Sequence, residues 1–389
     1  MKTGIYGGTF DPPHTGHIRA ASAAVTMLGL DRLIVIPALI PPHKNLRKCS
    51  CTPEDRLRMT RLAFDGVPCA EVSDIEIRRG GVSFTADTVA ALKKEYPDDD
   101  FYLLMGTDMF LSIESWHDFE SIVKNVTFAV FPRREGDFER IDGFAAYMRE
   151  KYGARAETLD CKVTDISSSG LCAMLEKRQG REFLAPEVYS YIIRNRAYGA
   201  RPDFAWLREK AYAMLKEKRI PHVRGCEEEA ARLAKRWGAP EDDAREAGIL
   251  HDITKKETLE SQLILCEKYG IINDNAEKES ANLLHAKTGA AAAAAEFGMS
   301  EAVCSAIRWH TTGRAGMTLP EKIIYMADYI EPTRDFEGLA ELRRLAYENL
   351  DAAVLLGLKM GLEDLRQRGI APHRASVEAI GYFEKRIEK

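Results

Sequence analysis

The sequence predicts an α/β domain built on a parallel sheet, followed by an all-α domain. Three observations lead to this expectation. The chain has 389 residues, and a single hydrophobic core rarely grows beyond about 250–300 residues. In the first half, short β-branched runs alternate with stretches of helical periodicity, which is typical of parallel sheets. In the second half the β-type runs end, and amphipathic stretches rich in Ala, Leu, Glu and Arg take their place.

The elements of the first half follow from apolar patterning and turn residues. Five runs are expected to form strands, at residues 3–6, 32–37, 71–77, 101–105 and 126–131. Helices are expected over residues 18–28, 86–96 and 186–193. A further helix begins at Pro53, because Thr52 is a good N-cap and proline suits the first turn. Because parallel crossovers are right-handed, ligands are expected at the carboxyl ends of the strands.

The second half shows helical patterns only. Helices are expected over residues 204–218, 227–237, 241–250, 351–367 and 373–388. Six consecutive alanines at residues 290–295 indicate a helix that packs closely against its neighbours. We therefore expect one domain at residues 1–198 and a second at residues 204–389, joined by a linker at residues 199–203.

Composition argues against several classes of protein. The net charge of −5 provides no general basic field for nucleic acid, and no apolar stretch reaches the ~18–20 residues that span a bilayer. Gly7 and Gly8 interrupt the early apolar run, so no signal peptide is expected. The eight cysteines include no C-x-x-C pair, which favours free thiols in a reducing compartment. We expect a cytoplasmic protein with no membrane or nucleic-acid partner.

The strongest chemical signal is the string from Gly7 to His17, which lies between a predicted strand and a predicted helix. Glycines at positions 7 and 8 allow the backbone to approach a ligand closely. The N–H groups that begin the next helix favour an anion at the same place. His14 and His17 lie beside it, and two imidazoles there suit stabilisation of a highly charged phosphorus centre. A plain strand-to-helix turn with two surface histidines is the alternative.

Further candidates follow other predicted strands. Lys44 comes after the second strand, in a loop stiffened by Pro41 and Pro42, and it can bind phosphate as a point charge. Such a loop can also be merely solvated. Arg133 and Arg134 follow the last strand, and a guanidinium can pair with a phosphate. All these segments are therefore expected at one edge of the sheet.

These residues lie in strings that resemble a known family. His14-Thr15-Gly16-His17 resembles the (H/T)xGH signature of the nucleotidyltransferase superfamily, and the whole string resembles GGTFDPxHxGH of nicotinate-nucleotide adenylyltransferases. The resemblance covers residues 1 to about 198 and continues in residues 41–44 (PPHK), 83–88 (SYTxDT, with Phe for Tyr), 106–108 (GxD) and 166–172 (ISSTxIR). It implies a Rossmann-like sheet and transfer of an adenylyl group from ATP to nicotinate mononucleotide. The products would be deamido-NAD and pyrophosphate, with Mg²⁺ on the triphosphate.

The resemblance also implies a role for each matching residue. Catalytic roles fall to His14, His17 and Lys44. ATP contacts fall to Gly7, Gly8, Thr9, Phe10, Gly16, Gly106, Asp108, Ser167, Ser168 and Ser169. Contacts to the acceptor fall to Thr85, Trp116, Arg133 and Arg134, with Trp116 stacking on the pyridine ring. Cys172 stands where the family has arginine, so the grip on the triphosphate is weaker unless another cation such as Arg178 replaces it.

Histidines and aspartates of the second half have the pattern of a metal site. His251 and Asp252 are adjacent on a predicted helix, so their side chains converge only on a ligand that sits between them. Asp328 lies in an apolar helix, where an unpaired carboxylate would be costly. Each residue alone would pass for an ordinary helix residue. The full candidate set is His222, His251, Asp252, His285, His310 and Asp328.

The order of these residues resembles the H…HD…D pattern of the HD hydrolase superfamily. Residues 219–222, 251–255, 284–285, 309–313 and 328–332 resemble a bacterial HD family that hydrolyses diadenosine tetraphosphate symmetrically to two ADP. This resemblance covers residues 203 to 385 approximately. It implies two divalent metals, iron or Mn²⁺, held by the six candidate residues. Lys255 is then expected to contact phosphates, and His373, which has no counterpart, is expected to be structural.

The sequence alone leaves three functions open. The first is a bifunctional enzyme that acts on ATP, nicotinate mononucleotide and dinucleoside polyphosphates. The second is an active adenylyltransferase with a regulatory HD module that binds nucleotides without cleaving them. The third is a nucleotidyltransferase that uses another phosphorylated acceptor. Thr85 and Trp116 favour the first over the third, and the complete set of metal candidates argues against the second.

Overall fold

The computed structural model describes residues 1–42, 50–134, 136–161 and 166–387. Lys44, one of the predicted catalytic residues, lies outside these ranges. The chain divides into two compact units, Met1–Arg201 and Pro202–Lys389. The first unit is an α/β domain and the second is helical, which confirms the predicted fold classes.

A six-stranded parallel sheet forms the centre of the first unit. Its strands are β1 (Lys2–Gly8), β2 (Arg32–Pro37), β3 (Ala70–Val72), β4 (Asp100–Gly106), β5 (Val126–Phe131) and β6 (Arg155–Thr158). Their order across the sheet is β3-β2-β1-β4-β5-β6, and Ile5 of β1 lies opposite Ile34 of β2 and Leu103 of β4. The order reverses between β1 and β4. Open α/β sheets bind ligands in the crevice at such a switch point.

Helices connect the strands of the first unit. They are α1 (Thr15–Leu28), α2 (Pro53–Phe64), α3 (Ile75–Arg79), α4 (Thr85–Glu95), α5 (Thr107–Leu111), α6 (Phe119–Asn125), α7 (Asp137–Tyr152), α8 (Ser168–Leu175) and α9 (Pro186–Arg194). The Thr52 hydroxyl caps α2 by accepting the Asp55 N–H at 3.1 Å, which confirms the predicted start of this helix. Helix α1 ends at Gly29 in the left-handed conformation (φ 61°), where a side chain would be strained.

The sheet is buried along its central strands. Every residue of β5 is buried, and Phe128 and Val130 are fully inaccessible to solvent. This burial explains why β5 is apolar at every position except Thr127 rather than alternating, because helices cover both faces of a parallel sheet. Burial of apolar area at about 25 cal/mol per Å² is the main term that stabilises such a sheet.

The strand predicted over residues 71–77 is wrong. β3 ends at Val72, and α3 starts at Ile75 after a turn in which the Ile75 N–H donates to Ser73 Oγ at 3.3 Å. Within α3, the side chain of Glu76 is buried and accepts a hydrogen bond from Thr88 Oγ1 at 2.7 Å. A short strand followed by one helical turn produced the alternating pattern. Strand β6 was not predicted, because its sequence is polar and it lies at the sheet edge, and helix α7 was not predicted either.

The second unit is helical in all its described elements. They are α10 (Phe204–Ala213), α11 (Ile220–Trp237), α12 (Glu241–Leu250), α13 (Leu259–Tyr269), α14 (Asn275–Lys278), α15 (Ala281–Phe297), α16 (Glu301–Trp309), α17 (Leu319–Ile330), α18 (Leu339–Glu348), α19 (Leu350–Gln367) and α20 (Arg374–Ile387). Helix α11 begins earlier than predicted, with Pro221 in its first turn, and it therefore carries His222. In the described part of the chain, no helix has both the length and the apolar character needed to cross a bilayer.

Arg56 of α2 ties together the loops that follow β1 and β2. Its side chain is fully buried, and its guanidinium donates to Thr9 O at 2.9 Å, Ala38 O at 2.5 Å and Leu39 O at 3.0 Å. Burial lowers the pKa of Arg56, but a guanidinium starts so far above neutrality that it stays charged. One buried cation therefore holds two loops in a fixed arrangement.

Replacing Arg56 with alanine should destabilise the first unit. The change leaves three loop carbonyls without their donor, which costs about 2–4 kcal/mol and lowers the unfolding midpoint by about 5–15 °C. Calorimetry of the full chain measures this shift. Arg58→Ala, at an exposed position on the same helix, is the control, and an equal midpoint for both variants would contradict the role of Arg56.

Candidate active sites

His14 and His17 form a close pair at the start of α1, with their ring planes tilted by 31°. The His14 backbone is extended and caps the helix, and the two ring centroids lie 3.7 Å apart. The His14 N–H donates to His17 Nδ1 at 3.1 Å. Because Nδ1 accepts this bond, the neutral His17 ring carries its proton on Nε2. His17 therefore has an N–H donor at Nε2.

A cleft of about 350 Å³ lies at the switch point between β1 and β4. The structure brings eight predicted residues together in its wall, namely Gly7, Gly8, Thr9, His17, Thr85, Gly106, Trp116 and Arg133. The residues predicted to bind ATP come from the ends of β1 and β4 and the turn after β1. His17, from α1, lies on the same side of the cleft wall. The start of α4 and Trp116 supply the residues predicted to bind the acceptor. One cleft thus joins the two groups, as a transfer reaction requires.

Glycines leave room for neighbouring side chains at this edge of the sheet. A Cβ at Gly8 would lie 2.9 Å from the Phe10 ring, and a Cβ at Gly106 would lie 2.7 Å from Arg133 Nε. At Gly7, by contrast, a Cβ would meet no protein atom within 4 Å. A side chain at Gly8 or Gly106 would displace the Phe10 ring or the Arg133 guanidinium, whereas Gly7 leaves open space on the cleft side of the chain.

Several predicted residues lie outside the wall of the cleft. The Phe10 side chain is buried against His17, with ring centroids 5.1 Å apart, so only the Phe10 backbone is left to contact ATP. Asp108 and Arg134 are exposed. Gly16 is buried in the first turn of α1. These positions surround the cleft without lining it.

The start of α8 lies against the loop that carries the histidines. Ser168 Oγ donates to Pro12 O at 3.1 Å, and the Ser167 hydroxyl accepts the Gly170 N–H as the N-cap. Cys172 is buried, with its Sγ 3.9 Å from Asp11 O. Ser168, one of the predicted triphosphate residues, therefore contacts the histidine loop, although it lies more than 150 positions later in the chain.

Arg178 is poorly placed to replace the arginine that the family has at the position of Cys172. It follows the carboxyl-terminal end of α8, whereas residues 167–169 lie at the opposite end. An eight-residue helix is about 12 Å long, which exceeds the reach of an arginine side chain. The weaker grip on the triphosphate therefore remains the expectation for this chain.

Asp137 is a residue of this site that the sequence analysis missed. It is buried at the start of α7 and accepts hydrogen bonds from the backbone N–H groups of Arg133 and Arg134 and from the Thr107 hydroxyl. Burial opposes ionisation, but these donors outweigh it and hold the pKa of Asp137 below its usual value. The carboxylate thereby fixes the segment from which the Arg133 side chain extends. The feature of the sequence that could have identified Asp137 is its position directly after Gly136, at the start of a helix.

The metal candidates of the second unit converge in one buried cluster. His222 Nε2 lies 3.2 Å from His251 Nε2 and 3.1 Å from Asp328 Oδ1. His285 Nε2 lies 3.0 Å from His310 Nε2. Asp252 lies between the two pairs, with Oδ2 3.5 Å from His251 Nε2 and Oδ1 3.2 Å from His285 Nε2.

The two halves of this cluster share a histidine. Ligand atoms of His222, His251 and Asp328 lie within 4.8 Å of one another, and so do those of His251, Asp252 and His310. Asp252 Oδ1 is buried and has no hydrogen-bond partner of good geometry among the described residues. Two overlapping donor sets that together contain imidazoles and carboxylates suit a pair of divalent metals.

Backbone groups set the ring tautomers of this cluster. His251 Nδ1 lies 2.8 Å from Gly248 O, and His310 Nδ1 lies 2.6 Å from Ile307 O. A carbonyl oxygen only accepts, so both rings carry their proton on Nδ1 and leave a lone pair on Nε2. Lone pairs that converge within about 3 Å repel each other unless a cation lies between them. The donor chemistry of the cluster therefore fits divalent metals.

Charged neighbours balance the acidic ligands. Arg219 Nη2 lies 2.6 Å from Asp252 Oδ2, and Arg334 Nη2 lies 2.6 Å from Asp328 Oδ1. Burial would raise the pKa of both carboxyls, but the imidazoles around Asp252 and Asp328 hold both pKa values well below the usual range. Both carboxylates are therefore ionised at neutral pH and able to bind cations.

Burial also lowers the pKa values of two neighbouring bases. Burial lowers the pKa of His285 to about 4, which keeps this ring neutral at pH 7. Burial also lowers the pKa of Lys255, whose Nζ lies 3.2 Å from His285 Nε2. Lys255 thus lies directly beside the predicted metal residues, where the resemblance placed a phosphate contact.

Comparison with known proteins agrees with this division of the chain. Residues 5–174 match the cytidylyltransferase-like family, and residues 219–333 match the HD domain family. A probable nicotinate-nucleotide adenylyltransferase of Gemmatimonas aurantiaca is 35% identical over 206 residues, which cover 52% of this chain and 94% of the relative. Its counterpart in Geobacillus thermodenitrificans is 37% identical over 207 residues, which cover 52% of this chain and 89% of the relative. The chain belongs to the nicotinate-nucleotide adenylyltransferase family.

In addition to its adenylyltransferase unit, this family member carries an HD domain. The HD match over residues 219–333 includes all six metal candidates. The solved structure of a predicted HD superfamily hydrolase involved in NAD metabolism, from Clostridium acetobutylicum, is 35% identical. That match covers 48% of this chain and 100% of the other, with a TM-score of 0.47.

Glu331 of the HD unit is a second residue that the sequence analysis missed. Its Oε1 lies 3.0 Å from His222 Nδ1, and Thr333 also donates to this carboxylate. A Cβ at Gly225 of α11 would clash with Glu331 Oε2, so this glycine makes room for the carboxylate. Glu331 follows Asp328 by three residues, and this spacing places two residues on one face of a helix. That spacing is the feature of the sequence that could have identified Glu331.

A cavity of about 1,030 Å³ adjoins the metal candidates of the HD unit. Asp328 and His310 lie in its wall, together with the cations Arg219, Lys255 and Arg334. Aromatic side chains line another part, where the Tyr325 and Tyr329 rings stack with centroids 5.4 Å apart. The cavity therefore combines phosphate-binding charge with flat apolar surface.

A third acidic cluster near this cavity is unsuited to a metal. His373 Nε2 lies 3.4 Å from Asp274 Oδ2 and 3.5 Å from Glu277 Oε1. However, His373 Nδ1 accepts the Ala375 N–H at 3.2 Å, so the ring proton lies on Nε2. Nε2 then carries the ring proton on the side of the carboxylates and has no lone pair for a metal. This geometry favours the structural role expected for His373.

Replacing Glu331 with alanine should weaken metal binding by about 10–100-fold. The reason is that His222 loses the partner that fixes its tautomer and orientation. Titration of the metal-stripped protein with Mn²⁺ or Fe²⁺ against a chromophoric chelator measures the affinity. Glu337→Ala, at an exposed position in the following loop, is the control. Equal affinities for the two variants would contradict this role of Glu331.

Proposed function

We propose that the first unit transfers the adenylyl group of ATP to nicotinate mononucleotide. The observation that carries the proposal is the single cleft in which the His17 ring, Thr85 and Trp116 occur together. The names of the curated relatives support the same reaction. The third alternative, another phosphorylated acceptor, has no comparable observation in its favour.

In this reaction an oxygen of the acceptor phosphate forms a bond to the α-phosphorus of ATP. The bond from that phosphorus to the bridging oxygen breaks, and pyrophosphate leaves with the electron pair. The acceptor is already anionic, so no protein nucleophile is required. His17 Nε2–H donates to the oxygens around the α-phosphorus, where negative charge increases in the transition state. Mg²⁺ on the triphosphate would neutralise part of the charge on the leaving group.

The remaining residues of the cleft position the two substrates. Gly7 leaves space for the triphosphate beside β1, and the N–H groups at the start of α1 favour its charge. The Arg133 guanidinium, which lies over Gly106, pairs with a phosphate. Trp116 stacks on the pyridine ring and Thr85 binds its substituent at the start of α4. Lys44, outside the described residues, is proposed to bind the triphosphate.

We also propose that the HD unit hydrolyses diadenosine tetraphosphate symmetrically to two ADP. The buried cluster of four imidazoles and two carboxylates, open to a large cationic cavity, supports this activity. Two divalent ions held there, iron or Mn²⁺, would activate water and neutralise charge on the phosphates. Lys255, Arg219 and Arg334 line the cavity beside the cluster and hold the phosphate chain. Tyr325 and Tyr329 provide a stacking surface for a base.

Replacing His17 with alanine should reduce the turnover of nicotinate mononucleotide and ATP by at least about 100-fold. ATP affinity should change by less than about threefold, because the lost donor acts mainly in the transition state. Steady-state kinetics and equilibrium ATP binding measure the two quantities. Arg19→Ala, an exposed position on the same helix, is the control. Unchanged turnover in His17→Ala would refute the catalytic assignment.

The protein loaded with Mn²⁺ or Fe²⁺ should convert diadenosine tetraphosphate to ADP, and Asp252→Asn should abolish this conversion. The substitution removes the negative charge that lies between the two histidine pairs. Product analysis by chromatography measures the outcome, and unchanged adenylyl transfer in the same variant is the control. Binding of dinucleoside polyphosphates to the metal-loaded protein without cleavage would instead favour a regulatory HD module.

A further inference from the structure

Thr311 places a hydroxyl group between the metal candidates and the cavity of the HD unit. Its Oγ1 lies 3.2 Å from His310 Nε2 and 3.5 Å from His285 Nε2. These two nitrogens lie 3.0 Å apart. Thr311 is half-buried and belongs to the wall of the cavity of about 1,030 Å³. The proposed hydrolysis uses the imidazoles of the cluster and the cations of this wall, but it assigns no role to this hydroxyl.

The Thr311 hydroxyl loses its acceptor when the cluster binds a cation. His310 carries its ring proton on Nδ1, so its Nε2 accepts from the Thr311 hydroxyl. When a divalent ion takes the Nε2 lone pair, the hydroxyl has to donate elsewhere. Among the residues that the structure describes, it bonds only to the two imidazoles. A ligand in the cavity is therefore the acceptor that this hydroxyl can reach next.

The hydroxyl lies beside the cation that is proposed to contact phosphate. Lys255 Nζ is 3.2 Å from His285 Nε2, the same atom that Thr311 Oγ1 approaches at 3.5 Å. Both donors also lie in the cavity wall. Two donors this close to one atom can contact oxygens of a single phosphoryl group, because its oxygens are strong acceptors. A phosphate held by Lys255 therefore comes within reach of Thr311.

The loop that carries Thr311 is held by other groups. The Gly313 N–H donates to Trp309 O at 2.9 Å, and the Thr312 hydroxyl donates to Gly313 O at 2.9 Å. Ser376 Oγ of α20 donates to Thr312 O at 2.8 Å. Because these bonds hold the loop backbone, removal of the Thr311 hydroxyl should leave the loop in place.

We propose that the Thr311 hydroxyl donates a hydrogen bond to the phosphoryl group that is attacked in the HD unit. The inference rests on the proposed hydrolysis of diadenosine tetraphosphate. In that reaction a water oxygen bonds to an inner phosphorus atom, the bond from this phosphorus to the central bridging oxygen breaks, and ADP leaves with the electron pair. At alkaline pH the two protons of the water are released to the solvent. A positioned hydroxyl donor stabilises the charge on the non-bridging oxygens of the attacked phosphorus.

The test compares Thr311→Val with Thr311→Ser in the full chain loaded with Mn²⁺. Valine has the shape of threonine without the hydroxyl, whereas serine keeps the hydroxyl. We expect kcat for diadenosine tetraphosphate to fall about 10–100-fold in Thr311→Val, because a hydrogen bond to a charged group is lost. In Thr311→Ser, kcat should stay within about threefold of the original value. Thr312→Val is the matched control, because the Thr312 hydroxyl bonds within its own loop.

A second measurement is independent of turnover. Inorganic phosphate is titrated into the Mn²⁺-loaded protein by calorimetry, and its Kd should rise at least about threefold in Thr311→Val. Affinity for Mn²⁺, measured against a chromophoric chelator, should stay the same, because the lost hydroxyl is not one of the metal candidates. If Thr311→Val fails to fold, Thr311→Ser and Thr311→Ala provide the same comparison, since only serine keeps the hydroxyl.

Unchanged turnover in Thr311→Val, or an unchanged Kd for phosphate, would overturn the inference. A loss of turnover with an equal loss of Mn²⁺ affinity would also overturn it, because the hydroxyl would then act on the metal site alone. If the original chain loaded with Mn²⁺ or Fe²⁺ releases no ADP, the proposed hydrolysis itself fails, and the phosphate titration still tests the contact made by Thr311.

Discussion

The backbone partner of each site histidine decides what its other ring nitrogen can do. In the first unit, the His14 N–H donates to His17 Nδ1 and leaves an N–H donor on Nε2. In the second unit, carbonyl oxygens accept from Nδ1 of His251 and His310 and leave lone pairs on Nε2. One side-chain type is thereby suited to anion binding in one unit and to metal binding in the other.

Buried charges organise the loops at the carboxyl edge of the sheet. Arg56 holds the loops after β1 and β2 by bonding to their carbonyl groups. Asp137 does the converse, because it accepts from the N–H groups of the segment after β5. Both ions are hydrogen-bonded on several sides, which offsets the cost of removing them from water. The parallel sheet places the strand ends together, and these ions then fix the loops that carry the ligand-binding residues.

In the HD unit, each acidic metal candidate contacts both imidazoles and a guanidinium. Asp252 contacts Arg219, and Asp328 contacts Arg334. The same guanidiniums line the adjoining cavity. The positive charge that balances the cluster is therefore continuous with the surface proposed for phosphate binding. Metal and phosphate binding at this site act on the same set of charges, so each is expected to influence the other.

The sequence by itself determined the fold classes and most elements, because helical and strand periods depend on neighbouring residues. It also identified the candidate catalytic and metal-binding residues, because the Gly7–His17 string and the H…HD…D pattern can be recognised along the chain. Only the tertiary structure supplied their partners. His222 pairs with Glu331, 109 positions away, and Glu76, in a run that resembles a strand, is buried in a helical turn by Thr88. Such contacts depend on how packed elements meet, and spacing along the chain does not encode them.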